Sequence, residues 1–211
     1  VPVLFLCLGL AFFLPAGTLD YWEAWVYCAV LFVSFCFVLS SLLRKSPELL
    51  VRRTHISEKD PVQKRLVLLT LPVFLAGFLI PGLDHRFGWS HVPAPVVLAA
   101  DLFVVIGYLF VYMVFRENPY ASRVVEIVPG QNVISTGPYA FVRHPMYLGV
   151  SVMWLATPVA LGSYVALPVF LILPVVLAFR IRNEEEVLLR DLPGYREYMQ
   201  KVRYRLVPGV W

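Results

Sequence analysis

Long apolar segments alternate with short polar segments along the whole chain. The apolar segments span residues 3–16, 22–43, 66–83, 95–115, 147–161 and 164–179. A transmembrane helix needs about 20 apolar residues, with a range of roughly 17–25, and the second, third and fourth segments meet that length. The pattern therefore predicts an all-α protein: a polytopic bundle of about five or six membrane helices.

The last two apolar segments are shorter and are separated only by Gly162 and Ser163. We predict that they form a C-terminal helical hairpin packed against the bundle. Pro158, Pro168 and Pro174 are expected to kink it. The pattern leaves open whether this hairpin spans the bilayer fully. The first segment is also short, so a signal peptide is an alternative. The first lysine or arginine is Arg44, however, so no basic region precedes the segment.

Composition supports a membrane protein and excludes several other classes. Hydrophobic residues make up 59% of the 211 residues and charged residues 15%, against about 45–50% and 25% in soluble domains. The three cysteines lie in apolar segments without a CxxC pair, so we predict no metal site. The chain has no GxGxxG, GxxxxGK[ST], HExxH or GxSxG motif.

The basic residues predict the orientation of the bundle. If the number of crossings is even and both ends are cytoplasmic, 17 of the 18 lysines and arginines lie on the cytoplasmic side and only Arg86 lies outside. They fall in the loop 44–65, in residues 116–146 and in residues 180–211. The positive-inside rule and contacts with membrane lipids account for most of them, so we expect no nucleic acid partner.

Two polar stretches at the edges of apolar segments are not explained by topology alone. Arg143 and His144 stand just before the fifth segment. A purely structural interpretation is that Arg143 extends to the membrane surface and His144 caps the following helix. Arg180 and Glu184 follow the sixth segment and share a helix face at i and i+4. The alternative for Glu184 is a solvated acidic run at a membrane exit.

These stretches resemble the two motifs of the isoprenylcysteine carboxyl methyltransferase family. "RHPMYLG" at 143–149 is similar to the RHPxYxG motif, and "RIRNEEEVL" at 180–188 is similar to RxxxEExxL. The closing "YREYMQKVRYRLVPGVW" resembles the tyrosine-spaced tail of the family. The resemblance covers about residues 100–211. It implies one membrane domain, residues 1–211, that has two parts. Four N-terminal helices occupy residues 1–115, with the basic loop 44–65 among them, and a methyltransferase core occupies residues 116–211.

The resemblance implies an integral membrane enzyme with a cytoplasmic pocket for S-adenosylmethionine. The residues that match cofactor-binding positions of the family are Gln131, Asn132, Val133, Ile134, Tyr139, His144, Pro145, Met146, Tyr147 and Glu184. Arg180 matches the arginine that orients the methyl acceptor. At Gln131 some relatives have histidine, and the tail is two residues shorter before its tyrosines.

The residue types suit that chemistry, although they do not identify the acceptor. A carboxylate can bind the ammonium or ribose hydroxyls of S-adenosylmethionine, and tyrosine rings can stack on adenine or face the sulfonium. A guanidinium can hold a carboxylate with two hydrogen bonds, which favours a lipophilic carboxylate of the isoprenylcysteine type as acceptor. A small thiol or a phospholipid amine is the alternative acceptor, and a non-catalytic membrane scaffold is the alternative of another class.

Overall fold

The computed structural model describes residues 2–54, 61–122, 124 and 127–211, and over these residues the chain is helical without a strand. The all-α prediction is therefore confirmed for them. Lys59 and Arg123, which the charge pattern assigns to the cytoplasm, lie outside the described residues. The helices are α1 (Pro2–Ala16), α2 (Trp22–Lys45), α3 (Pro47–Thr54), α4 (Pro61–Phe87), α5 (Ala94–Glu117), α6 (Pro145–Ala160), α7 (Leu167–Phe170), α8 (Ile172–Asp191) and α9 (Tyr195–Lys201), with a 3₁₀ turn at Gly137–Ala140.

Each of the four N-terminal apolar segments falls on one helix. Helices α2, α4 and α5 have 24, 27 and 24 residues and are long and apolar enough to cross a membrane. Helix α6 and the Phe5–Ala16 part of α1 are shorter apolar helices. The structure thus has at least three candidate membrane spans among its described residues, and the total of five or six stays a prediction.

The predicted hairpin is present, but its second arm is built differently. After α6 the chain turns over residues 161–166, and the arm consists of the short α7 and then α8. Pro168 lies in the first turn of α7, and Pro174 is the third residue of α8. First-turn N–H groups have no intrahelical partner, so proline is tolerated at both places, and the expectation that these two prolines kink the arm stays a prediction.

Two glycines bring α5 and α6 into close contact. A Cβ atom added at Gly107 would lie 2.8 Å from the carbonyl oxygen of Gly149, and one added at Gly149 would lie 2.9 Å from Cγ2 of Val111. A larger residue at Gly107 would press on the backbone of α6 and one at Gly149 on the side chain of Val111, as is typical of membrane helices that pack through small residues. This contact fixes the helix that begins with the 143–149 motif against the bundle.

The polar connections gather at two opposite ends of the bundle. At one end, the buried carboxylate of Asp84 accepts hydrogen bonds from the Ser90 backbone N–H, at 2.7 Å, and from the Ser163 hydroxyl. At the other end, the Gln63 amide donates to the carbonyl of Arg180, at 3.1 Å, and to Oδ1 of Asn183, at 2.6 Å. The second end also holds residues 143–144 and the C-terminal segment, and we call it the basic end.

A buried ion cluster ties the C-terminal segment to the basic end. Glu185, which is 3% exposed, accepts hydrogen bonds from Nε of Arg143, at 2.7 Å, and from Nε of Arg205, at 2.8 Å. Arg143 also donates through Nη1 to the carbonyls of Val202 and Arg203, at 2.8 and 2.7 Å. The cluster therefore joins the start of α6, the middle of α8 and the segment after α9.

Backbone hydrogen bonds reinforce this connection. The N–H groups of Arg143 and His144 donate to the carbonyls of Tyr204 and Arg205, both at 2.9 Å. Leu206 and Trp211 then pack with Leu177 and Ile181 of α8. The C-terminal segment consequently lies across the 143–149 motif and covers it.

The charge state of Glu185 gives this cluster a defined pH dependence. Burial alone would raise the pKa of Glu185, but hydrogen bonds from His144, Arg143 and Arg205 outweigh it and lower the pKa from 4.5 to about 2. A carboxylate with a lowered pKa stabilises the folded state fully above its ordinary pKa. That stabilisation is lost as the pH falls from about 4.5 through about 2.

We predict that Glu185→Gln destabilises the protein by about 3 kcal/mol, because it leaves the buried Arg143 guanidinium without its anionic partner. Thermal unfolding in detergent, followed by loss of the monodisperse protein, measures the effect. Wild-type stability should also decrease between pH 4.5 and 2, and the variant should lack this part of the pH dependence. The exposed neighbour Glu186→Gln is the matched control; equal stability of the two variants would contradict the role given to the cluster.

Topology provides a second prediction, which follows from the distribution of basic residues between the two ends. Reporter fusions after residues 55, 130 and 211 should report a cytoplasmic location, and a fusion near residue 88 an external one. If the fusions after residues 130 and 211 lay on opposite sides of the membrane, residues 118–147 and 184–205 could not meet at the basic end as the structure describes.

Candidate active site

A cavity of about 120 Å³ lies at the basic end, between the segment after α5, the 143–149 motif, α8 and α9. We call it the loop cavity, since irregular segments form much of its wall. It is lined by Asn118, Tyr120, Ala121, Ser122, Val124, Gln131, Asn132, Val133, Ile134, Tyr139, Arg143, His144, Met146, Tyr147, Glu184, Leu188, Leu192, Tyr195 and Tyr198.

Turns formed by the local sequence place the residues before the motif. Gly130 has a φ of 77°, which glycine adopts without strain, and the N–H of Gln131 donates to the carbonyl of Val128 in the same turn. The side-chain oxygen of Gln131 accepts from the Val128 N–H at 3.1 Å. This turn directs residues 131–134 along one side of the loop cavity.

Tyr139 is held in the 3₁₀ turn by two hydrogen bonds. Its hydroxyl accepts from the Asn118 amide, and its backbone carbonyl accepts from the Tyr198 hydroxyl, both at 2.8 Å. Burial raises the pKa of Tyr139 to about 12, against a smaller lowering by the Asn118 hydrogen bond. The ring is therefore neutral at physiological pH and has a fixed position in the wall.

The motif residues Arg143 and His144 do not take the alternative roles considered for them. Arg143 is buried in the Glu185 cluster instead of extending to the membrane surface. His144 occupies the N-cap position of α6, but its side chain makes no capping hydrogen bond. Its Nε2 lies 3.3 Å from Oε1 of Glu185 and its Nδ1 lies 3.9 Å from Oε1 of Glu184, so the ring connects two carboxylates at the cavity.

The hydroxyl of Tyr147 links Arg180 to Glu184. It accepts a hydrogen bond from Nε of Arg180, at 2.8 Å, and donates one to Oε2 of Glu184, at 2.7 Å. Glu184 is only partly buried, with 23% of its side chain exposed, and it lines the loop cavity. The i and i+4 residues of α8 thus share one face, as the sequence predicts, and one tyrosine lies between them.

Arg180 lines a different cavity, of about 270 Å³, between α4, α6 and α8. We call it the helix cavity. It is lined by Arg53, Leu66, Val67, Thr70, Phe74, Ser122, Met146, Tyr147, Val150, Trp154, Leu173, Val176, Leu177 and Arg180. Ser122, Met146 and Tyr147 line both cavities and form a shared wall.

The helix cavity becomes apolar with distance from the basic end. On α6 its wall runs from Tyr147 to Trp154, and on α8 from Arg180 to Leu173. Seven residues of α-helix extend about 10 Å. The cavity therefore suits an elongated amphiphile whose polar group lies near Arg180 and whose apolar part lies along the helices.

Nine of the ten residues predicted for the cofactor line the loop cavity together. The tenth, Pro145, does not line it: it is the buried first residue of α6. Arg180 lies in the helix cavity, apart from that set. Among the described residues, no three histidine, cysteine, aspartate or glutamate side chains are grouped closely enough to hold a metal ion.

Several residues of the loop cavity were not predicted. Tyr195 and Tyr198 belong to the tail whose tyrosine spacing resembles the family, so that spacing was the available signal. Residues 118–122 have no motif, and they reach the cavity only because the chain folds back after α5. Arg53, in the helix cavity, was assigned to the basic loop.

Comparisons with known proteins show a family to which the segment containing this site is similar. Residues 98–190, which contain both motifs, match the model of the isoprenylcysteine carboxyl methyltransferase (ICMT) family. The chain also resembles the structure of a eukaryotic intramembrane Ras methyltransferase, ICMT, with a TM-score of 0.60 and 18% identity over 96% of this chain and 74% of that one. At that identity the structural likeness shows the fold alone.

Sequence relatives include proteins with a different described activity. The chain is 33% identical over 132 residues to the Delta(14)-sterol reductase TM7SF2 of Mus musculus, covering 56% of this chain and 31% of the relative. It is 27% identical over 153 residues to the Delta(14)-sterol reductase LBR of Gallus gallus, covering 66% and 23%. It is 34% identical over 70 residues to the protein YpbQ of Bacillus subtilis, covering 33% and 42%.

The chain spans about a third or less of the length of the sterol reductases that it matches. Both signature motifs lie inside the segment that matches the family model, and the fold agrees over nearly the whole chain. Residues 98–190 of this membrane protein are therefore similar to the isoprenylcysteine carboxyl methyltransferase family.

Proposed function

We propose that the protein is an integral membrane methyltransferase that moves a methyl group from S-adenosylmethionine to a lipophilic carboxylate of the isoprenylcysteine type. One observation carries the proposal: two cavities share the wall formed by Ser122, Met146 and Tyr147. The cavity on one side contains the carboxylate of Glu184, and the cavity on the other contains the guanidinium of Arg180.

The side chains of the loop cavity fit S-adenosylmethionine. Glu184 supplies an anionic oxygen for an ammonium group or ribose hydroxyls, and the His144 ring beside it can bind a carboxylate. Tyr139 and Tyr147 supply π faces, which attract cations and stack on flat rings. Leu188, Leu192 and Val133 supply apolar surface.

When bound, S-adenosylmethionine supplies a methyl group on a positively charged sulfur. The protein then has to align the acceptor atom with that methyl group. Good orientation of two reactants can lower the activation barrier by roughly 7–11 kcal/mol. Tyr147 is suited to this alignment because its hydroxyl contacts both Arg180 and Glu184. A carboxylate acceptor is already ionised at neutral pH and needs no general base.

The helix cavity suits the acceptor. Arg180 lies at the polar end, where a guanidinium can bind a carboxylate with two parallel hydrogen bonds. Leu173, Phe74 and Trp154 line the apolar part, where a lipid chain replaces water at the wall. We further propose that the basic end faces the cytoplasm and that five or six helices cross the membrane.

The sterol reductase relatives suggest a second candidate, reduction of a lipid double bond. A reductase needs a hydride donor such as a reduced nicotinamide dinucleotide, and its sterol substrate carries no anionic group for Arg180 to bind. Methylation of a thiol or a phospholipid amine remains an alternative within the methyltransferases. A non-catalytic scaffold has no need of the linked Arg180, Tyr147 and Glu184.

We predict that His144→Ala and Glu184→Ala each weaken binding of S-adenosylhomocysteine about tenfold or more, because each removes a charge-assisted contact. Isothermal titration of detergent-purified protein measures the affinity, and size-exclusion chromatography confirms that each variant is folded. Glu186→Ala is the matched control, because Glu186 is exposed and does not line the loop cavity.

Unchanged affinity of both variants for S-adenosylhomocysteine would contradict the proposal that the loop cavity binds the cofactor. Binding of a reduced nicotinamide dinucleotide by the wild type, in place of S-adenosylhomocysteine, would replace the methyltransferase proposal with the reductase.

A further prediction separates a carboxylate acceptor from a thiol or an amine through Arg180. Arg180→Lys keeps the positive charge but loses the two-pronged geometry, so turnover should fall about tenfold or more while cofactor affinity stays near that of the wild type. Arg182→Lys, an exposed residue on the same helix, controls for the substitution itself. Initial rates of tritiated methyl transfer into an S-prenylated cysteine measure turnover.

The pH dependence of the same reaction provides an independent readout. The rate for a carboxylate acceptor should be nearly constant above about pH 6, whereas a thiol acceptor would gain rate up to about pH 8.5. Full activity of Arg180→Lys, or a rate that climbs steeply from pH 6 to 8.5, would exclude the carboxylate in favour of the alternatives.

A further inference from the structure

Helix α3 positions Arg53 against the site. The charge pattern alone assigns this arginine, with the rest of the basic loop 44–65, to membrane topology. Leu49 of α3 is buried with Phe115 of α5 and with Ala121, and Leu50 and Met146 pack against the same group. Residues at i and i+4 share a helix face, so the burial of Leu49 directs Arg53 toward that group. Arg53 is consequently positioned by the core of the bundle.

The contacts of Arg53 place its guanidinium at the wall that the two cavities share. Its Cζ lies 4.4 Å from the centre of the Phe115 ring. Its Nη1 lies 3.4 Å from the carbonyl oxygen of Ala121 and 3.9 Å from the sulfur of Met146. Ala121 lines the loop cavity, and Met146 lines both cavities.

The described part of the helix-cavity wall carries its charge on two arginines. Of the described residues that line it, Arg53 and Arg180 are charged, none is acidic, and most of the others are apolar. Opposite charges attract strongly in such a partly desolvated space, because the effective dielectric constant is lower than in water. An acceptor that enters this cavity therefore meets two guanidinium groups near the shared wall.

We propose that Arg53 binds the anionic headgroup of the acceptor together with Arg180, so that the helix cavity selects an amphiphile with a negatively charged head. This inference rests on the function proposed above, since it assigns the helix cavity to the acceptor. Arg53 lies outside residues 98–190, which match the family model. The N-terminal half of the chain thus contributes to acceptor specificity.

The test compares binding of two probes that differ in charge. N-acetyl-S-farnesylcysteine carries a carboxylate, and its carboxamide has nearly the same shape without the charge. Affinities are measured by isothermal titration in nanodiscs of phosphatidylcholine, whose headgroups have no net charge. Arg53→Met and Arg53→Gln remove the charge, and Arg44→Met removes a charge from an exposed residue at the end of α2.

Wild type and Arg44→Met should prefer the carboxylate probe by about tenfold or more, since guanidinium–carboxylate hydrogen bonds are charge-assisted. Both Arg53 variants should lose most of that preference while binding of S-adenosylhomocysteine stays unchanged. Using two variants prevents a folding defect in one from deciding the result.

A wild type without preference, or Arg53 variants that keep it, would overturn the inference. If the protein still binds S-adenosylhomocysteine when either of these results is found, only the role of Arg53 is contradicted and the proposed function is not. If instead no S-adenosylhomocysteine binds but the preference depends on Arg53, the proposed methyltransferase fails and the anion-binding role of Arg53 stands.

Discussion

The buried carboxylate of Glu185 is the constraint on which the geometry of the site depends. It accepts hydrogen bonds from Arg143, at the start of α6, and from Arg205, in the C-terminal segment, while His144 lies 3.3 Å away. Burying a carboxylate is costly unless its partners compensate, so α6, α8 and the C-terminal segment can occupy only positions that keep these partners in place. The next residue on one side, Glu184, is thereby presented to the loop cavity.

The same arrangement explains why two consecutive glutamates have different roles. Successive helical residues point about 100° apart, so Glu185 faces the buried cluster while Glu184 faces the cavity and Tyr147. Arg180, one turn before Glu184, points along the same face into the helix cavity. A single helix therefore supplies a structural carboxylate, a candidate cofactor-binding carboxylate and a candidate acceptor-binding cation.

Much of this site was predictable from the sequence, because the motifs concentrate its residues in two short stretches. Nine of ten predicted cofactor residues line one cavity, and the apolar segments 22–43, 66–83 and 95–115 each became a long helix. The division of the last arm into α7 and α8 was not predicted, since a pattern does not reveal whether a proline begins a helix or interrupts it. The structural role of Arg143 was missed because its partners are 42 and 59 residues away, beyond any local pattern.

Arg53 was missed for a related physical reason. Charge counting assigns every arginine of a basic loop the same topological role, whereas the packing of Leu49 gives one of them a fixed position beside Met146. The partial sequence similarity to a sterol reductase further means that similarity alone does not determine the reaction. The distinguishing features are the side chains at the two cavities and the wall between them.

Direct photochemical cross-linking tests the central claim, that the loop cavity binds S-adenosylmethionine. Purified protein is irradiated with S-adenosylmethionine that carries its radiolabel in the carboxyl carbon, and the labelled peptides are mapped after proteolysis. Label is expected in residues 118–147 or 184–198, and excess S-adenosylhomocysteine should suppress it. Label confined to other segments, or label that S-adenosylhomocysteine does not displace, would contradict the assignment of this cavity to the methyl donor.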